Sequence, residues 1–238
     1  MTTPSVGVVG DESVAERLSD DGVAVERHAD GTVPETETVV AVGQAALSAV
    51  ADTDSDPLVL PVDAGRGVRS VARESITAAV RGLDGARTER HYTLSITRGG
   101  ECVGRTVWDT TLVTEDAARI SEFAITTPTD TIDAFRADGV VVATPAGSPG
   151  YARRVGGPVL APSPVAVVAP IAPFATNPDH WVVPVDELTL SVERDEATVS
   201  LLVDDDRAGT VARGESVTLS ESDPIRVAVV AESRPRFA

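Results

Sequence analysis

The strongest candidate for a ligand-binding segment is a turn that follows an apolar run. The run Gly139–Ala143 leads into Thr144-Pro145-Ala146-Gly147-Ser148-Pro149-Gly150-Tyr151. Gly147 lets the backbone approach a bound group closely, and Thr144 and Ser148 supply hydroxyl groups that can donate or accept hydrogen bonds. The pattern predicts a strand followed by a binding turn for a polar ligand.

Two further residues flank this segment. Asp138 precedes the apolar run and could accept hydrogen bonds from a ribose or an amide. Tyr151 offers a flat face with one polar tip. Each of these residues alone also fits an ordinary loop or a packed side chain, but the set in its strand-and-turn context favours binding.

The same turn is similar to the nucleophile elbow of serine hydrolases. Ser148 would be the nucleophile, and His180 lies downstream with Asp179 and Asp186. The elbow, however, uses the backbone N–H of the residue after the serine in its oxyanion hole. Pro149 has no N–H, so a serine hydrolase is strongly disfavoured.

Other catalytic patterns are also disfavoured. A phosphate-binding P-loop needs a lysine, which this sequence lacks. The three histidines, His28, His91 and His180, have no metal-ligand spacing, and the acidic run Asp204–Asp206 is more typical of a solvated turn, so no metal site is expected. Cys102 is the single cysteine, which excludes an internal disulfide, and we expect it to be a small buried group.

The composition is strongly acidic and contains no lysine. Acidic residues outnumber basic ones 37 to 20, for a net charge of -17. Such a surface repels phosphates, so neither nucleic acid nor a membrane is an expected partner. In molar salt the Debye length falls to about 3 Å, which screens the repulsion between the acidic side chains. The composition therefore indicates a protein from a halophilic organism. The first residues carry no targeting pattern, and prolines interrupt the most apolar run, so we expect a soluble, cytoplasmic protein.

The first part of the sequence alternates strands and helices. Strands are predicted at Val6–Val9, Val23–Glu26, Thr38–Val42 and Leu58–Val62. Asp11 is a plausible N-cap for a helix whose apolar face carries Val14, Ala15 and Leu18. An Ala-rich helix follows the third strand, and residues 70–80 have a helical pattern. This alternation predicts an α/β domain with a mainly parallel sheet over residues 1–88.

From about Tyr92 the pattern changes to strands with period-two alternation. The predicted strands cover residues 92–96, 107–113, 120–125, 139–143, 188–192, 198–203 and 216–219. We therefore expect an all-β sandwich domain over residues 89–220. A C-terminal segment, residues 221–238, is expected to return to the first domain.

The turn of residues 144–151 resembles a signature of the NAD kinase family. The family pattern is an apolar strand, then Thr-Pro-Thr-Gly-Ser-Thr-Ala-Tyr, then Gly-Gly-Pro, which corresponds to Gly156-Gly157-Pro158 here. Pro170-Ile171-Ala172-Pro173-Phe174 and Val183-Pro184 also resemble family landmarks. The resemblance implies that Asp138, Thr144, Gly147, Ser148 and Tyr151 contact NAD or NADP.

The first domain resembles the family more weakly. Val42-Gly43-Gln44-Ala45-Ala46-Leu47 stands where the family has Gly-Gly-Asp-Gly-Thr-Leu, and Pro61–Arg66 resembles the element Gly-Val-Asn-x-Gly-Arg. The resemblance implies an ATP side that includes Gly43, Gly65 and Arg66. Asp109 and Thr110 stand where Asn and Glu are usual, in the part of the pocket that the resemblance assigns to NAD.

The departures from the family pattern bear on catalysis. In the family, the Asp of Gly-Gly-Asp-Gly takes the proton of the ribose 2′-hydroxyl. Gln44 stands in its place, and a neutral amide can orient a hydroxyl but cannot accept its proton. Val42 and Ala45 replace flanking glycines and should weaken ATP binding. Asp63 and Asp109 are candidate substitute bases.

Three functions follow in order of preference from the sequence. The first is an NAD kinase-like protein that binds NAD or NADP and has lost most or all phosphoryl transfer. The second is an active NAD kinase that uses ATP and Mg²⁺, and the third is a non-enzymatic interaction partner. The resemblance further implies a homodimer or homotetramer.

Overall fold

The structure, a computed structural model, describes residues 5–116, 119–176, 178–195 and 197–237. It divides into two compact units, and each is described by itself below. Unit 1 comprises Met1–His91 and Pro224–Ala238, whereas unit 2 comprises Tyr92–Asp223. No helix among the described residues is long and apolar enough to span a bilayer.

Unit 1 is built on a parallel sheet. Its elements are β1 Val6–Val9, α1 Glu12–Asp20, β2 Val25–Glu26, β3 Thr38–Val42, α2 Gln44–Ala51, β4 Leu58–Val62, a 3-10 turn Arg73–Ser75, α3 Ile76–Arg81 and a second 3-10 turn Leu83–Gly85. The strand order is β2-β1-β3-β4-β16, where β16 is Ser216–Val229, and each neighbouring pair is parallel. Both faces of this sheet are apolar, as expected for strands covered by helices.

The predicted beginning and buried face of α1 are confirmed. The carboxylate of Asp11 accepts hydrogen bonds from Ser13 N at 2.8 Å and Val14 N at 3.3 Å, so it caps the helix. Val14, Ala15 and Leu18 are the buried residues of this helix. Spacing of three and four residues places them on one face, which packs into the core of unit 1.

The predicted helix over residues 70–80 is wrong in its first half. Regular helix begins only at Ile76. Val71 N donates to Pro61 O at 2.9 Å and Ser70 N donates to Gly65 O at 3.1 Å, so this backbone is bound to β4 and its loop. Because these N–H groups are used outside the segment, no helix can form there.

Unit 2 consists of two antiparallel sheets. Its elements are β5 Arg87–Arg98, β6 Glu101–Thr106, β7 Asp109–Thr114, β8 Ser121–Thr126, β9 Thr131–Ala137, β10 Gly139–Ala143, α4 Tyr151–Arg154, β11 Val165–Ile171, β12 Trp181–Pro184, β13 Leu188–Arg194, β14 Val199–Val203 and β15 Asp206–Val211. One sheet has the order β12-β11-β10-β7-β14-β15. The other contains β16-β13-β8-β9, with β5 between β16 and β6. β5 and β16 each run on into unit 1.

The two sheets of unit 2 pack face to face. Phe123 and Leu190 of one sheet lie in the same buried cluster as Leu112 and Val140 of the other. The other face of the sheet that contains β10 carries a smaller buried cluster, in which Ala152 of α4 packs against the strands. The predicted combination of a parallel α/β sheet with an antiparallel β sandwich is therefore confirmed.

Three details of the predicted β domain are wrong. The strand predicted over residues 107–113 begins at Asp109, because the N–H groups of Val107 and Trp108 bind a carboxylate instead of a neighbouring strand. The strand predicted over residues 216–219 continues to Val229. Cys102 is exposed on β6 rather than buried.

Candidate functional site

The turn after β10 is bound to the segment that precedes β7. Thr144 N donates to Trp108 O at 3.0 Å, and Thr144 Oγ1 donates to Val107 O at 2.6 Å. Gly147 N in turn donates to Thr144 Oγ1 at 3.2 Å. The backbone course of the turn is therefore determined by buried hydrogen bonds within unit 2.

Gly147 and Ser148 have packing roles that the sequence did not reveal. A methyl group on Gly147 would lie 2.0 Å from Trp108 O, so only glycine fits against that backbone. Ser148 is fully buried; its Oγ donates to Pro145 O and accepts from Leu160 N, both at 2.9 Å. The hydroxyls of Thr144 and Ser148 thus bind backbone of this chain, and their contact with a dinucleotide stays a prediction.

Asp204 completes this frame, and sequence reasoning missed it. Its carboxylate accepts hydrogen bonds from Val107 N at 3.0 Å, Trp108 N at 2.9 Å and Asp109 N at 3.2 Å, and also from Thr106 Oγ1. The backbone of Asp204 is left-handed, with φ of 48°. The acidic run after β14 was the available signal, but its partners lie almost a hundred residues earlier in the chain.

Asp109 and Thr110 lie on opposite faces of β7. Asp109 pairs with Ala143 and is half-buried, whereas Thr110 pairs with Val142 and is buried. Burial, followed by the charges of Asp204 and Asp205, raises the pKa of Asp109 to about 7. Among the described residues, Thr110 Oγ1 has no hydrogen-bond partner.

The structure places the two flanking residues differently. Tyr151 begins α4 directly after the turn and is 41% exposed, so its ring is accessible. Asp138 lies at the other end of β10, roughly 20 Å from Thr144 at about 3.3 Å per residue. Unit 2 therefore brings Asp109 and Thr144–Tyr151 together, and it does not bring Asp138 to the same end of the strand.

In unit 1, the predicted ATP-side residues lie at the carboxyl ends of β3 and β4. Gly43 N donates to Val62 O at 2.8 Å, and Gln44 begins α2. A methyl group on Gly65 would lie 3.8 Å from Gln44 Nε2, so the amide lies beside that glycine. The structure thus brings Gly43, Gln44 and Gly65 together, and Arg66 follows in the same loop.

Asp63 lies in this loop with two cationic neighbours. Its backbone is left-handed, with φ of 48°. Arg73 Nε lies 3.3 Å from Asp63 Oδ2, and Arg234 Nη2 lies 3.6 Å from Oδ1. Arg73 also donates to Asp11 at 2.5 Å. Hydrogen bonds from Ser13 and Arg73 lower the pKa of Asp11 to about 2.

A buried ionic cluster supports the same loop, and no local pattern of residues predicted it. Arg236 is 8% exposed; it donates to Gly67 O at 3.0 Å and to Glu89 Oε2 at 2.7 Å. Arg69 lies 3.4 Å from Glu89 as well. The nearby His91 ring and the Arg236 guanidinium hold the pKa of Glu89 far below its usual range. Segments distant in the sequence therefore fix the conformation of residues 63–70.

Known proteins match this chain over both units. The model of the ATP-NAD kinase C-terminal domain matches residues 109–230. The chain is 26% identical over 234 residues to an NAD kinase of Methanosarcina barkeri, and this alignment covers 93% of this chain and 79% of that protein. It is 29% identical over 218 residues to an NAD kinase of Methanosarcina mazei, with 88% and 74% covered.

Two crystal structures have the same fold. A yeast NADH kinase in complex with NADH gives a TM-score of 0.78 at 17% identity and covers 98% of this chain and 85% of its own. An NAD kinase from Archaeoglobus fulgidus in complex with ATP gives a TM-score of 0.76 at 20% identity, and the match covers 96% of this chain and 94% of that chain. Together with the C-terminal domain match over half of its sequence, these similarities place the chain in the NAD kinase family.

Proposed function

We propose that the protein is a slow NAD kinase, which transfers a phosphoryl group from ATP to the ribose 2′-hydroxyl of NAD and so forms NADP. The observation that carries this proposal is the match of residues 109–230 to the ATP-NAD kinase C-terminal domain. This region includes Thr144 and Asp204, whose hydrogen bonds build the frame of unit 2. The relatives with the broadest coverage are themselves named NAD kinases. These similarities support transfer activity more than its loss.

The accessible groups beside the turn suit a dinucleotide. Asp109 offers a half-buried carboxyl group, and Tyr151 offers an exposed ring directly after the turn. The flat ring of Tyr151 can stack against a base, and its hydroxyl group can donate a hydrogen bond. In this proposal Asp109 and Tyr151 hold NAD, while Thr144, Gly147 and Ser148 keep the turn in place.

The carboxyl edge of the unit 1 sheet suits the phosphates of ATP. Helix α2 starts without a side-chain cap, so its first N–H groups can bind an anion. A methyl group on Gly43 would meet no atom within 4 Å, so backbone there is open to approach. Arg66 adds a guanidinium in the neighbouring loop. Magnesium would enter with the nucleotide, since Mg²⁺ is commonly bound through phosphates and neutralises their charge.

The weakness of the proposed enzyme lies in proton removal. Gln44 can hold the acceptor hydroxyl through its amide, but it cannot take the proton. The oxygens of Asp63 already face Arg73 and Arg234, and these ion pairs compete with any contact between Asp63 and the acceptor hydroxyl. The absence of a general base typically costs about a hundredfold to ten-thousandfold in rate, so slow turnover is expected.

A second function is favoured by Gln44 itself. If the chemistry needs a carboxylate at this position, the protein binds NAD or NADP without transferring phosphate. Such a protein would serve as a dinucleotide sensor or as a partner of another enzyme. This alternative shares the binding site in unit 2 and differs only in turnover.

The test has two stages, both in molar KCl because the acidic, lysine-free composition favours a halophile. Calorimetric titration with NAD measures binding, and chromatography after long incubation with NAD, ATP and Mg²⁺ measures NADP. Binding with slow NADP formation supports the kinase. Binding without any NADP supports the second function, and the absence of binding contradicts both.

A further inference from the structure

The corner around Asp109 contains three carboxyl groups and few hydrogen-bond donors to share among them. Asp204 and Asp205 form the turn between β14 and β15, and Asp204 N donates to Asp109 O at 3.0 Å. This contact holds the acidic turn against the start of β7. The hydrogen-bond donors of this corner are shared between Asp204 and Asp109, whereas the side chain of Asp205 is exposed.

Asp204 receives almost all of these donors. Three backbone N–H groups and the hydroxyl of Thr106 donate to its carboxylate. Among the described residues, the side chain of Asp109 accepts one long hydrogen bond, of 3.4 Å, from Thr111 Oγ1. A carboxylate with several donors is stabilised as an anion, whereas a half-buried one with a single long hydrogen bond is not.

The charges around Asp109 act in the same direction. Asp204 and Asp205 are negative neighbours, and both disfavour a second anion nearby. The packed turn, residues 143–150, contains no titratable side chain. The α4 residues that follow bring exposed Tyr151, Arg153 and Arg154. Burial, followed by the charges of Asp204 and Asp205, raises the pKa of Asp109 to about 7.

We propose that Asp109 acts as a neutral carboxylic acid, which donates a hydrogen bond to an acceptor oxygen of NAD and makes the affinity depend on pH. This inference rests on the proposed binding of a dinucleotide in unit 2. Where the family has an asparagine, with an amide that both donates and accepts, a protonated carboxyl group offers the same pair of functions. The ionised form offers acceptors only, and it also repels the phosphates of NAD.

The experiment is a calorimetric titration with NAD between pH 5.5 and 8.5, on the wild type and on Asp109→Asn. NAD is the right probe because it lacks the monoester phosphate of NADP, which would itself titrate near pH 6. For a group with a pKa of about 7, the wild-type Kd should rise about tenfold between pH 6 and pH 8. Asp109→Asn should bind NAD with a pH-independent Kd within about threefold of the wild-type value at pH 6.

Two further variants locate the source of the pH dependence. Asp205→Asn keeps the shape of an exposed side chain and removes one negative charge, so the midpoint should move to lower pH. Asparagine also tolerates the left-handed backbone there, with φ of 72°. Asp130→Asn, exposed in the turn between β8 and β9, is the matched control and should leave the midpoint unchanged.

Several outcomes would overturn the proposal. A wild-type Kd that does not change with pH is one. Persistence of the full pH dependence in Asp109→Asn is another, since the titrating group would then not be Asp109. An unshifted midpoint in Asp205→Asn would contradict the electrostatic cause.

Carbon NMR of the side-chain carboxyl groups, recorded on the protein without NAD as a function of pH, separates failure of this inference from failure of the proposed function. If Asp109 titrates near neutral pH but NAD does not bind at any pH, then the dinucleotide site is wrong, and with it the role of Asp109 as donor. If NAD binds and Asp109 titrates near its ordinary value, the binding site stands and this inference falls.

Discussion

The turn after β10 in unit 2 and the turn after β3 in unit 1 differ in what determines them. In unit 2, residues 144–148 of the turn are buried, Thr144 Oγ1 donates to Val107 O, and Thr144 N donates to Trp108 O. In unit 1, the proposed catalytic position is held by Gln44, an exposed side chain beside open space at Gly43. A substitution of Gly147 or Ser148 therefore disturbs buried packing, whereas a substitution of the exposed Gln44 leaves the core intact. This contrast is consistent with a recognisable family turn in unit 2 beside a changed residue at the proposed catalytic position in unit 1.

Gln44→Asp sharpens this contrast most strongly. The change restores a carboxylate at the exposed start of α2, where a negative charge also suits the helix dipole. If the missing base limits the reaction, kcat for NADP formation should rise about a hundredfold to ten-thousandfold. A coupled assay of NADP measures it. Gln44→Asn, a neutral analogue of the same shape, is the control and should stay near the wild-type rate.

Gly147→Ala tests the other side of the comparison. The added methyl group would lie 2.0 Å from Trp108 O, so the turn or β7 must move. The free energy of unfolding should fall by about 3 kcal/mol or more, and NAD binding should be lost. Urea unfolding at high salt measures the change. Gly85→Ala has nothing within 4 Å of the new methyl group and should stay within about 0.5 kcal/mol of wild type. Equal stability of the two variants would contradict a packed turn.

Glu89→Gln tests whether unit 1 has its own rigid support away from Gln44. Glu89 faces Arg69, Arg87 and Arg236, so the neutral amide leaves buried positive charge without its counter-ion. The free energy of unfolding at pH 7 should fall by about 2–4 kcal/mol. Glu101→Gln on the exposed start of β6 should have almost no effect.

The pH dependence of this loss has a definite sign. In the folded state the pKa of Glu89 lies below its ordinary value of 4.5. Its stabilisation is therefore complete above pH 4.5 and is lost as the pH falls through the folded-state pKa. The difference between wild type and Glu89→Gln should stay constant from pH 7 to pH 5 and shrink below pH 4.5. A difference that grows on acidification would contradict the ionic origin.

Local patterns in the sequence predicted much of the fold. The bounds of β3, β4 and β10 agree with the structure, because each is a continuous apolar run. The full length of β16 was missed, since the polar run of residues 220–223 interrupts the apolar alternation while the strand continues. Cys102 is exposed because it lies at the beginning of β6, beside the exposed turn Gly99–Gly100, which a single residue type does not reveal.

The site was only partly predictable for the same reason. The turn of residues 144–151 is contiguous in the chain, so its residue types were sufficient to predict a turn after β10, and its role in binding stays a prediction. Asp204 binds the backbone of residues 107–109, and Arg236 binds Glu89, across long separations in sequence. No local pattern encodes such pairs, and both became visible only when the fold brought the segments together.

The proposal that this protein is a slow NAD kinase is best tested by the initial rate of ATP-dependent NADP formation by the unmodified protein. The measurement uses saturating NAD, ATP and Mg²⁺ in molar KCl, with ³¹P NMR following the new 2′-phosphate. The account predicts slow formation that is proportional to protein concentration and at least about a hundredfold below that of Gln44→Asp. Turnover equal to that of Gln44→Asp, or no NADP from either folded protein, would contradict it.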